Sequence, residues 1–372
     1  MSARETVLIT GGAGFIGSHL TNALLAEGFK VRILDTLQPP THNGKPPPWL
    51  NPRAELIRGD VRKRRDWERA LPGVSYVFHL AGYMDFRPDF STYTATNTES
   101  TALLYEVIAA KKHRIKKIVA ASSQAIYGEG KYRCKKHGIV YPPTRSESDL
   151  RNGRYEVRCP RGRESLALLP SAESDGLFPI TPYGISKRGL EETLLCLGLY
   201  LGIPSVALRY TIVHGPHQTF RHFYSGALRQ FAVMALSGRP IEMHEDGKQL
   251  RDFVHVSDLV RAHLTVLYDR RADFRIFNVG SGVPHTVREL AETVTDEVGI
   301  PPRFELPGLY RVKTARHSTV DISHLSKLGW RPKKTLRDNV RDYVTWIRNY
   351  PEAKRFLIET LRAMRRSRII RR

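Results

Sequence analysis

Long apolar runs are absent from this chain of 372 residues, and its N-terminus lacks the basic-then-apolar order of a secretory signal peptide. A membrane-spanning helix needs about 20 consecutive apolar residues, so the sequence predicts no such helix. Cysteine is scarce as well, because Cys134, Cys159 and Cys196 form an odd set without the spacing of a disulfide framework. Together these absences indicate a cytoplasmic protein in a reducing compartment.

Acidic residues are also in short supply, since 37 aspartates and glutamates stand against 59 lysines and arginines, a formal net charge of +22. Such an excess is typical of proteins that contact nucleic acid or an anionic membrane surface. We favour a simpler explanation, a basic surface together with an anionic substrate, and expect no nucleic-acid partner. For the basic C-terminal tail, residues 351–372, two interpretations stay open: an amphipathic helix on an acidic membrane surface, or a solvated end.

A glycine-rich stretch, Thr10-Gly11-Gly12-Ala13-Gly14-Phe15-Ile16-Gly17, separates a predicted strand at Val7–Ile9 from a predicted helix at Ser18–Leu25. Its glycines permit a tight bend, let a pyrophosphate approach the backbone and let the helix pack on the strand. The helix N-terminus then presents unpaired N–H groups to the phosphates. Glycine-rich turns also occur in plain chain reversals, so this stretch alone is a weak signal.

An aspartate at the end of the next predicted strand strengthens the signal. The apolar run Lys30–Leu34 leads into Asp35, at roughly the twenty-residue distance at which an acidic residue binds the adenosine ribose hydroxyls. Its charge repels a 2′-phosphate, which favours NAD over NADP. The alternative is an ordinary solvent-facing aspartate at a strand end.

Strands and helices alternate along the first half of the chain. Four further strands are predicted at 55–61, 74–82, 115–121 and 205–209, with helices near 102–108 and 190–197. This alternation predicts an α/β fold with a doubly wound parallel sheet, which binds ligands at the carboxyl ends of its strands. The residues at or just beyond these ends include Asp60-Val61, Leu80-Ala81-Gly82, Asn97 and Ser122-Ser123.

We predict a Rossmann NAD-binding domain over 1–210 and a smaller C-terminal α/β substrate lobe over 211–350, partly interleaved with it. From about 129 to 181 the periodicity gives way to glycine, proline and charge, which indicates an inserted loop region. Strands are also predicted at 251–256 and 274–280.

The segment Tyr183-Gly184-Ile185-Ser186-Lys187 places a phenol and an ammonium one turn apart on a helix face. A lysine so close, helped by an oxidised nicotinamide, lowers the pKa of the tyrosine and favours phenolate near neutral pH. Ser123 can hydrogen-bond the same substrate hydroxyl. A Tyr-x-x-x-Lys pattern alone arises by chance, but behind a nucleotide-binding turn it predicts a proton-transfer site.

Together these motifs resemble the extended short-chain dehydrogenase/reductase family, the NAD-dependent sugar-nucleotide epimerases and dehydratases, over about residues 6–347. The similar segments are the TGxxGxxG turn at 10–17, the adenine-side pair Asp60-Val61, the HLAA-like segment at 79–81, the SSxxVYG-like segment at 122–128, the YxxxK motif and the RDFVHV segment at 251–256. The resemblance implies that Arg251 and Arg311 bind the sugar nucleotide and that Leu80, Ala81, Gly82 and Asn97 line the NAD site.

The resemblance also implies a mechanism. Tyr183 takes the proton from the C4 hydroxyl of the sugar while hydride passes to NAD, with Ser123 and Lys187 holding the geometry. The 4-keto sugar turns, the hydride returns to its other face, and NAD stays bound. Dehydratases and decarboxylases carry acids just after the serine, where this chain has Gln124 and Ala125. We therefore expect a 4-epimerase, with a UDP-hexose as substrate and Gln124 at the substrate site.

Alternatives remain: a dTDP-sugar 4-epimerase, a 4-keto reductase or dehydrogenase that releases NADH, or a non-catalytic RNA-binding member of the fold. The family pattern R-x-x-N-V-Y-G-P carries Ile212 here in place of its asparagine, and Lys313-Thr314 replaces a Gly-Asp pair, so the nucleotide is left open. The resemblance further implies a homodimer formed through the helices near 102–112 and after Tyr183.

The insertion resembles a dTDP-rhamnose 4-epimerase-like subgroup, for which we expect C-x-x-H…C-x-x-C, a zinc knuckle. This chain keeps Cys134, His137 and Cys159 but has Gly162 at the fourth place. We therefore expect a lost site without zinc, and we expect Cys196 in the core.

A second group follows Gly215-Pro216 and either shapes the sugar pocket or serves packing: Gln218, Phe220, His222 and Tyr224.

Overall fold

A parallel sheet forms the centre of the computed structural model, which describes residues 5–85, 87–221, 226–366 and 369–372. Within these residues the strands are, in chain order, β1 (Thr6–Thr10), β2 (Lys30–Asp35), β3 (Glu55–Arg58), β4 (Val74–His79), β5 (Lys117–Ser123), β6 (Lys131–Cys134), β7 (Gly138–Val140), β8 (Leu166–Leu169), β9 (Ser205–Tyr210), β10 (Ile212–His214), β11 (Ile241–Glu242), β12 (Leu250–His255), β13 (Arg275–Val279), β14 (Pro284–Thr286), β15 (Phe304–Glu305), β16 (Tyr310–Arg311) and β17 (Ile370–Arg371).

The α-helices of the described residues are α1 (Phe15–Ala26), α2 (Arg64–Ala70), α3 (Phe90–Tyr93), α4 (Ser100–Lys111), α5 (Glu147–Arg151), α6 (Pro182–Leu201), α7 (Gly226–Leu236), α8 (Val256–Tyr268), α9 (Val287–Val298), α10 (Ser323–Ser326), α11 (Leu336–Ile347) and α12 (Ala353–Arg366). A π-helix covers Thr94–Glu99, and 3₁₀-helices cover Gln124–Tyr127 and Arg270–Ala272.

Seven strands pair in parallel in the order β13-β9-β5-β4-β1-β2-β3. The chain begins in the middle of this sheet, runs outward to β3, returns to β4 and then runs outward on the other side. The order therefore reverses between β1 and β4, and the loops that follow these strands lie side by side. A Cβ atom added to Gly11 would lie 3.0 Å from the backbone of Ala81. Sheets of this kind receive their ligands at such a switch point.

Both faces of the sheet are covered, because alternate residues of its inner strands enter different apolar cores. In β1, Val7 and Ile9 pack into the core shared with α1 and α8, whereas Leu8 packs into the core shared with α2, α4 and α6. A strand covered on both faces reads as a continuous apolar run. This explains why the inner strands are recognisable in the sequence.

The first-half strands predicted from the sequence are all present, and so are the two predicted in the second half. One of the latter, β13, extends the central sheet by pairing with β9. The central sheet thus takes one strand from the segment 211–350, and α8 of that segment packs on the same sheet. Helices α7, α9 and α11 of the segment surround a third apolar core.

The insertion carries regular structure that the sequence pattern did not predict. Its strands form an antiparallel sheet in the order β7-β6-β8. In the chain, α5 lies between β7 and β8. These strands have only three or four residues each. Alternation over so few positions is too short to separate a strand from a loop.

The basic tail folds back onto the protein. Helix α12 packs against α7, with Ala353, Leu357 and Met364 buried, and β17 pairs with β16. The apolar side that a membrane surface would contact is therefore covered by the chain itself. In the part of the chain that the structure describes, no helix is both long and apolar enough to cross a membrane.

Cys196 is exposed, so its predicted core position is wrong. The buried side of α6 runs through Leu190, Leu194 and Gly198. Residue 196 lies two positions beyond Leu194 and faces the opposite side of a helix with 3.6 residues per turn.

Candidate active site

The glycine-rich turn after β1 has no room for side chains. Gly11 has a positive φ of 68°, and a Cβ atom on Gly17 would lie 2.4 Å from the carbonyl oxygen of Gly11. Helix α1 begins directly after Gly14, which provides no side-chain cap for its first N–H groups. Phe15 and Ile16 form the first turn, so their amides lie at the positive end of the helix. This arrangement suits a phosphate group.

Asp35 ends β2 with its carboxylate held against the same turn. One oxygen accepts a hydrogen bond of 3.1 Å from the Ala13 amide, and the other accepts one of 2.9 Å from the Leu37 amide. The side chain is fixed at the edge of the crevice, as the predicted role in ribose binding requires. It is not the solvent-facing aspartate of the alternative interpretation, because it is almost fully buried.

Asp60 and Val61 follow β3 at the next strand end. Burial acts to raise the pKa of Asp60, but the hydrogen bonds and charge of Arg62 outweigh burial and lower it. The Val61 carbonyl accepts a bond of 2.6 Å from the Trp67 indole. The contacts with Arg62 and Trp67 therefore hold Asp60 and Val61 in place after the end of β3.

His79 ends β4 in full burial and ties two elements together. Its ring nitrogens bond the Thr10 hydroxyl at 2.8 Å and the Ser100 hydroxyl at 3.0 Å. Burial, helped by the charge of Lys187, lowers the pKa of His79 to about 3. The histidine is thus neutral and fixes the loop Leu80-Ala81-Gly82.

Asn97 lies in the π-helix, a rare geometry that recurs at functional sites. Its amide accepts from the Tyr83 amide at 2.9 Å and donates to the Ser186 hydroxyl at 2.8 Å. A Cβ on Gly82 would lie 3.1 Å from Lys187 Nζ and 3.2 Å from Asn97 Oδ1. The structure thus brings Gly82, Asn97 and Lys187 together, although they lie far apart in sequence.

Tyr183 and Lys187 share one side of α6, which starts with Thr181 as its N-cap. Lys187 is 3% exposed, and its Nζ donates to the Ala121 carbonyl at 2.8 Å and lies 5.8 Å from the centre of the Tyr183 ring. Burial lowers the pKa of Lys187 to about 8, partly offset by the charge of Glu191. The ammonium is therefore mostly charged at neutral pH and close to the phenol.

Ser123 and Gln124 lie at the end of β5, against the start of α6. Ser123 Oγ accepts from the Ala125 amide at 3.1 Å, which leaves its own proton to donate. A Cβ on Gly184 would lie 2.7 Å from the Ala125 carbonyl oxygen. The Ser123 strand end and the Tyr183 helix turn are thus in direct backbone contact.

The two predicted substrate arginines lie on β12 and β16. Arg251 is the second residue of β12 and half-buried, and its guanidinium donates to the carbonyls of Arg316 at 2.8 Å and Ala315 at 2.9 Å. Arg251 also pairs through a β-bridge with Ser318, whose hydroxyl bonds Gln124 at 2.5 Å. This chain of contacts connects Arg251 to the Ser123 strand end.

Arg311 lies in β16 and approaches Met364 of α12 at 4.0 Å. A second arginine that sequence reasoning missed, Arg229 of α7, lies nearby and is fully buried. Burial and the charge of Arg311 lower the pKa of Arg229 to about 10, against an opposing contribution of Tyr343. Within the described residues its Nε and Nη2 atoms have no hydrogen-bond partner. The burial of Arg229 beside Arg311 could not be predicted from the local sequence, because an arginine on an apolar helix gives no sign of it.

Other predicted positions either serve packing or lie outside the described residues. Phe220 is buried in an aromatic cluster with Trp346 and Tyr350, which favours packing. Ile212 packs against the third apolar core. His222 and Tyr224 lie outside the described residues.

The three candidate metal ligands Cys134, His137 and Cys159 do come together, and Glu164 joins them. The fourth candidate ligand therefore lies two residues beyond Gly162, which has the fourth position of the expected knuckle. Glu164 could not be predicted as the fourth ligand, because it does not lie at the fixed spacing of a zinc knuckle.

A family model described as the NAD dependent epimerase/dehydratase family matches residues 7–148 and 164–280. Among curated proteins, the dTDP-L-rhamnose 4-epimerase of Burkholderia thailandensis is 30% identical over 351 residues, which cover 92% of this chain and 95% of that protein. A putative UDP-glucose 4-epimerase of Methanocaldococcus jannaschii is 30% identical, with coverage of 92% and 98%.

Solved structures give the same picture. The UDP-glucose 4-epimerase of Thermotoga maritima with UDP-glucose superposes with a TM-score of 0.75 at 28% identity, over 92% of this chain and 99% of that one. The UDP-glucose 4-epimerase of Thermus thermophilus in complex with NAD gives 0.73 at 28% identity, over 93% and 99%.

Proposed function

The chain belongs to the NAD-dependent epimerase/dehydratase family, and we propose that it is a nucleotide-sugar 4-epimerase acting on a UDP-hexose of the UDP-glucose/UDP-galactose type. One observation carries the proposal: buried Lys187 lies beside Tyr183 on α6 and beside Gly82 at the switch point of the sheet. The base Tyr183, the cation Lys187 and the switch point at Gly82 therefore lie next to one another. The relatives compared above are 4-epimerases by name.

NAD is the cofactor of this family, and the residues present fit it. The side-chain-free turn at Gly11, Gly14 and Gly17 leaves space for a pyrophosphate, and the fixed carboxylate of Asp35 suits two ribose hydroxyls. Asn97 and Lys187, which lie beside Gly82 at the switch point of the sheet, would contact the nicotinamide half. When bound, NAD accepts the hydride from C4 of the sugar and returns it.

Tyr183 removes the proton of the C4 hydroxyl and gives it back on the return step. The ammonium of Lys187 stabilises the phenolate, and its pKa of about 8 keeps it charged at neutral pH. Ser123 donates its free proton to the same sugar oxygen, because its own oxygen already accepts from Ala125. These three residues hold the reacting oxygen in place.

Elimination or decarboxylation would need a carboxyl group next to Ser123. Gln124 has an amide that is engaged by Ser318, and Ala125 has no functional group. No carboxyl group next to Ser123 is therefore available to catalyse loss of water from the 4-keto sugar. Reduction of that intermediate from its other face then completes a 4-epimerisation.

Positive charge opposite the NAD site supports an anionic substrate. Arg251 and Arg311 are the predicted contacts to the nucleotide diphosphate, and buried Arg229 adds a third guanidinium beside Arg311. A buried cation without an acidic partner is costly unless an anion arrives. A diphosphate supplies that anion.

We also propose a homodimer through α4 and α6. The support is the exposed apolar surface of α6, where Leu199 is 64% and Tyr200 82% exposed. Light scattering of the purified chain gives the mass directly, and a monomer at micromolar concentration would contradict the dimer.

The test of the activity is incubation with UDP-glucose, UDP-galactose, UDP-glucuronate and dTDP-sugars, without added NAD, followed by chromatography of the sugars. We expect one C4 pair of UDP-hexoses to interconvert without accumulation of NADH. Tyr183→Phe should lose about 10²- to 10⁴-fold in turnover, whereas the control variant Tyr268→Phe, at an exposed tyrosine of α8, should keep it.

Other results would replace the proposal. Conversion of a dTDP-sugar alone would assign the nucleotide differently, and stoichiometric NADH would indicate a dehydrogenase. No conversion, together with RNA affinity that falls steeply with salt and survives Tyr183→Phe, would indicate a binding protein.

A further inference from the structure

The insertion contains a cluster of four potential metal ligands, remote in sequence from the proton-transfer residues. Cys134 ends β6, and His137 lies in the turn that leads to β7. Cys159 and Glu164 face each other across a second turn, in which the Cys159 amide donates to the Glu164 carbonyl at 2.9 Å. An antiparallel bridge between Arg158 and Ser165 closes that turn. Two turns therefore each contribute two side chains to one point.

The three distances from His137 to the other ligands are close to the edges of a tetrahedron around zinc. One ligand atom from each residue lies within 4.8 Å of all the others. His137 Nδ1 lies 3.5 Å from Cys134 Sγ, 3.3 Å from Cys159 Sγ and 3.8 Å from Glu164 Oε2. Zn–S and Zn–N bonds of about 2.3 and 2.0 Å place sulfur and nitrogen about 3.5 Å apart. Little movement is needed to close around an ion.

Gly162 makes the carboxylate of Glu164 part of the cluster. A Cβ atom on residue 162 would lie 2.5 Å from both carboxylate oxygens of Glu164. Any side chain at 162 would thus push the carboxylate out. The glycine at the expected fourth place and the glutamate two residues later form one arrangement, in which the carboxylate takes the space of the missing side chain.

The Glu164 carboxylate also points to a cation. Its Oε2 atom is shielded from solvent and has no hydrogen-bond partner within the described residues. Buried carboxylate oxygens are normally paired. A bound cation would satisfy it.

We propose that Cys134, His137, Cys159 and Glu164 bind one Zn²⁺ in a closed, structural site. Two thiolates and an imidazole select zinc over magnesium or calcium, which prefer oxygen ligands. Four protein ligands leave no open position for water or substrate, so the ion is structural rather than catalytic. Lys135, Lys136, Arg161 and Arg163 flank the ligands and balance the net negative charge of the complex.

The ion would stabilise the insertion, whose apolar core is very small. That core consists of Tyr132, Cys134, Val140, Val157 and Cys159, so two of its five buried residues are themselves ligands. Small cores of this kind commonly need a metal or disulfide. The inference is independent of the proposed activity.

The first experiment measures metal content in the full-length, tag-free protein, purified with reducing agent and gel-filtered. We expect about one zinc per chain. Replacement by Co²⁺ should give a thiolate-to-cobalt charge-transfer band and the intense visible bands of a tetrahedral site. Protein without bound zinc, with no such bands on Co²⁺ addition, would overturn the proposal. So would a Cys134–Cys159 disulfide that forms in place of metal binding.

Variants then test the ligand set. Cys159→Ser and Glu164→Gln should each weaken zinc binding by about tenfold or more, measured by competition with a chromophoric chelator. Gly162→Ala should weaken it too, because the added methyl displaces the carboxylate. The matched controls are Cys196→Ser and Glu192→Gln, which change an exposed cysteine and an exposed glutamate and should keep full affinity. Unchanged affinity in Glu164→Gln would exclude it as the fourth ligand. If a variant fails to fold, the metal content and cobalt spectrum of the wild-type protein still decide the proposal.

Discussion

The proposed cofactor side and the proposed substrate side of the site are held in place by different kinds of contact. On the cofactor side, backbone groups do most of the positioning. The Gly11 amide bonds the Leu34 carbonyl at 2.9 Å, the Ala13 amide bonds Asp35, and Lys187 is anchored on the Ala121 carbonyl. Side chains are excluded from the turn itself.

On the substrate side, ion pairs to one buried arginine do the positioning. Arg316 is fully buried and bonds Glu156 at 2.6 Å, Glu245 at 2.9 Å and Asp246 at 2.8 Å. Arg145 of the insertion adds a bond of 2.7 Å to Glu245. These contacts hold the segment whose carbonyls receive Arg251.

The two sides are therefore sensitive to different changes. A turn built from backbone is sensitive to added volume, whereas a charge network around a buried arginine is sensitive to the loss of one partner.

Gly17→Ala should have the largest effect on the cofactor side. Its methyl group would lie 2.4 Å from the Gly11 carbonyl oxygen, so the turn must open and the phosphate site is lost. We expect purified protein without bound NAD, measured by absorbance after denaturation, and a stability loss of about 1–3 kcal/mol. Gly202→Ala, whose added methyl meets no atom within 4 Å, is the control for NAD retention, although the left-handed φ of 65° at this position costs stability by itself. NAD retained in Gly17→Ala would contradict the role of this turn.

Arg316→Met should lower the free energy of unfolding by up to about 3–5 kcal/mol, because it removes one of the two guanidinium groups that pair with buried Glu245 and also breaks the pairs with the more exposed Glu156 and Asp246. Urea unfolding followed by circular dichroism measures the loss. If folded protein is recovered, NAD binding should persist while the KM for the nucleotide sugar rises. A variant that loses NAD and substrate binding equally would show that the two sides are not separable.

The pH dependence of activity should report Lys187. Its pKa of about 8 means that the ammonium is lost as pH rises through that value, and the Tyr183 phenolate then loses its stabilising charge. We expect kcat/KM to fall above about pH 8 in a pH profile. Unfolding would not explain the fall, since the unfolded lysine keeps its proton to about pH 10.4 and the cost of burying the ammonium decreases as pH rises. A profile that stays flat well above pH 8 would contradict this assignment.

Arg337→Met should have the smallest effect. Arg337 pairs with Asp296 and Glu297 but is 57% exposed, and exposed pairs contribute about 0–1 kcal/mol. The same unfolding measurement serves as the matched control for Arg316→Met. A loss as large as that of Arg316→Met would show that exposure does not distinguish the two networks.

Most of the cofactor side could be predicted from the sequence. The strand and helix around Gly11–Gly17, the strand end at Asp35 and the i, i+4 pair of Tyr183 and Lys187 all depend on residues within a few positions of one another. Local sequence carries such patterns because the side-chain periods of strands and helices are short.

The substrate side and the insertion could not be predicted in the same way. Arg316 finds Glu156 and Glu245 across 160 and 71 positions of the chain. Arg229 looks like any arginine on a helix until its burial beside Arg311 is seen. Glu164 does not lie at the spacing of a zinc-knuckle ligand, and the strands of the insertion are too short to show the two-residue period of side chains.

By itself, the sequence determined the doubly wound sheet, the glycine turn and the tyrosine–lysine pair, because these follow from local periodicity and from backbone conformations that only certain residues allow. The tertiary structure decided the rest. The return of β13 to the central sheet, the docking of α12 and the joining of Cys134, His137, Cys159 and Glu164 at one point depend on contacts between distant segments. Such contacts form only when the whole chain packs, and no short stretch of sequence encodes them.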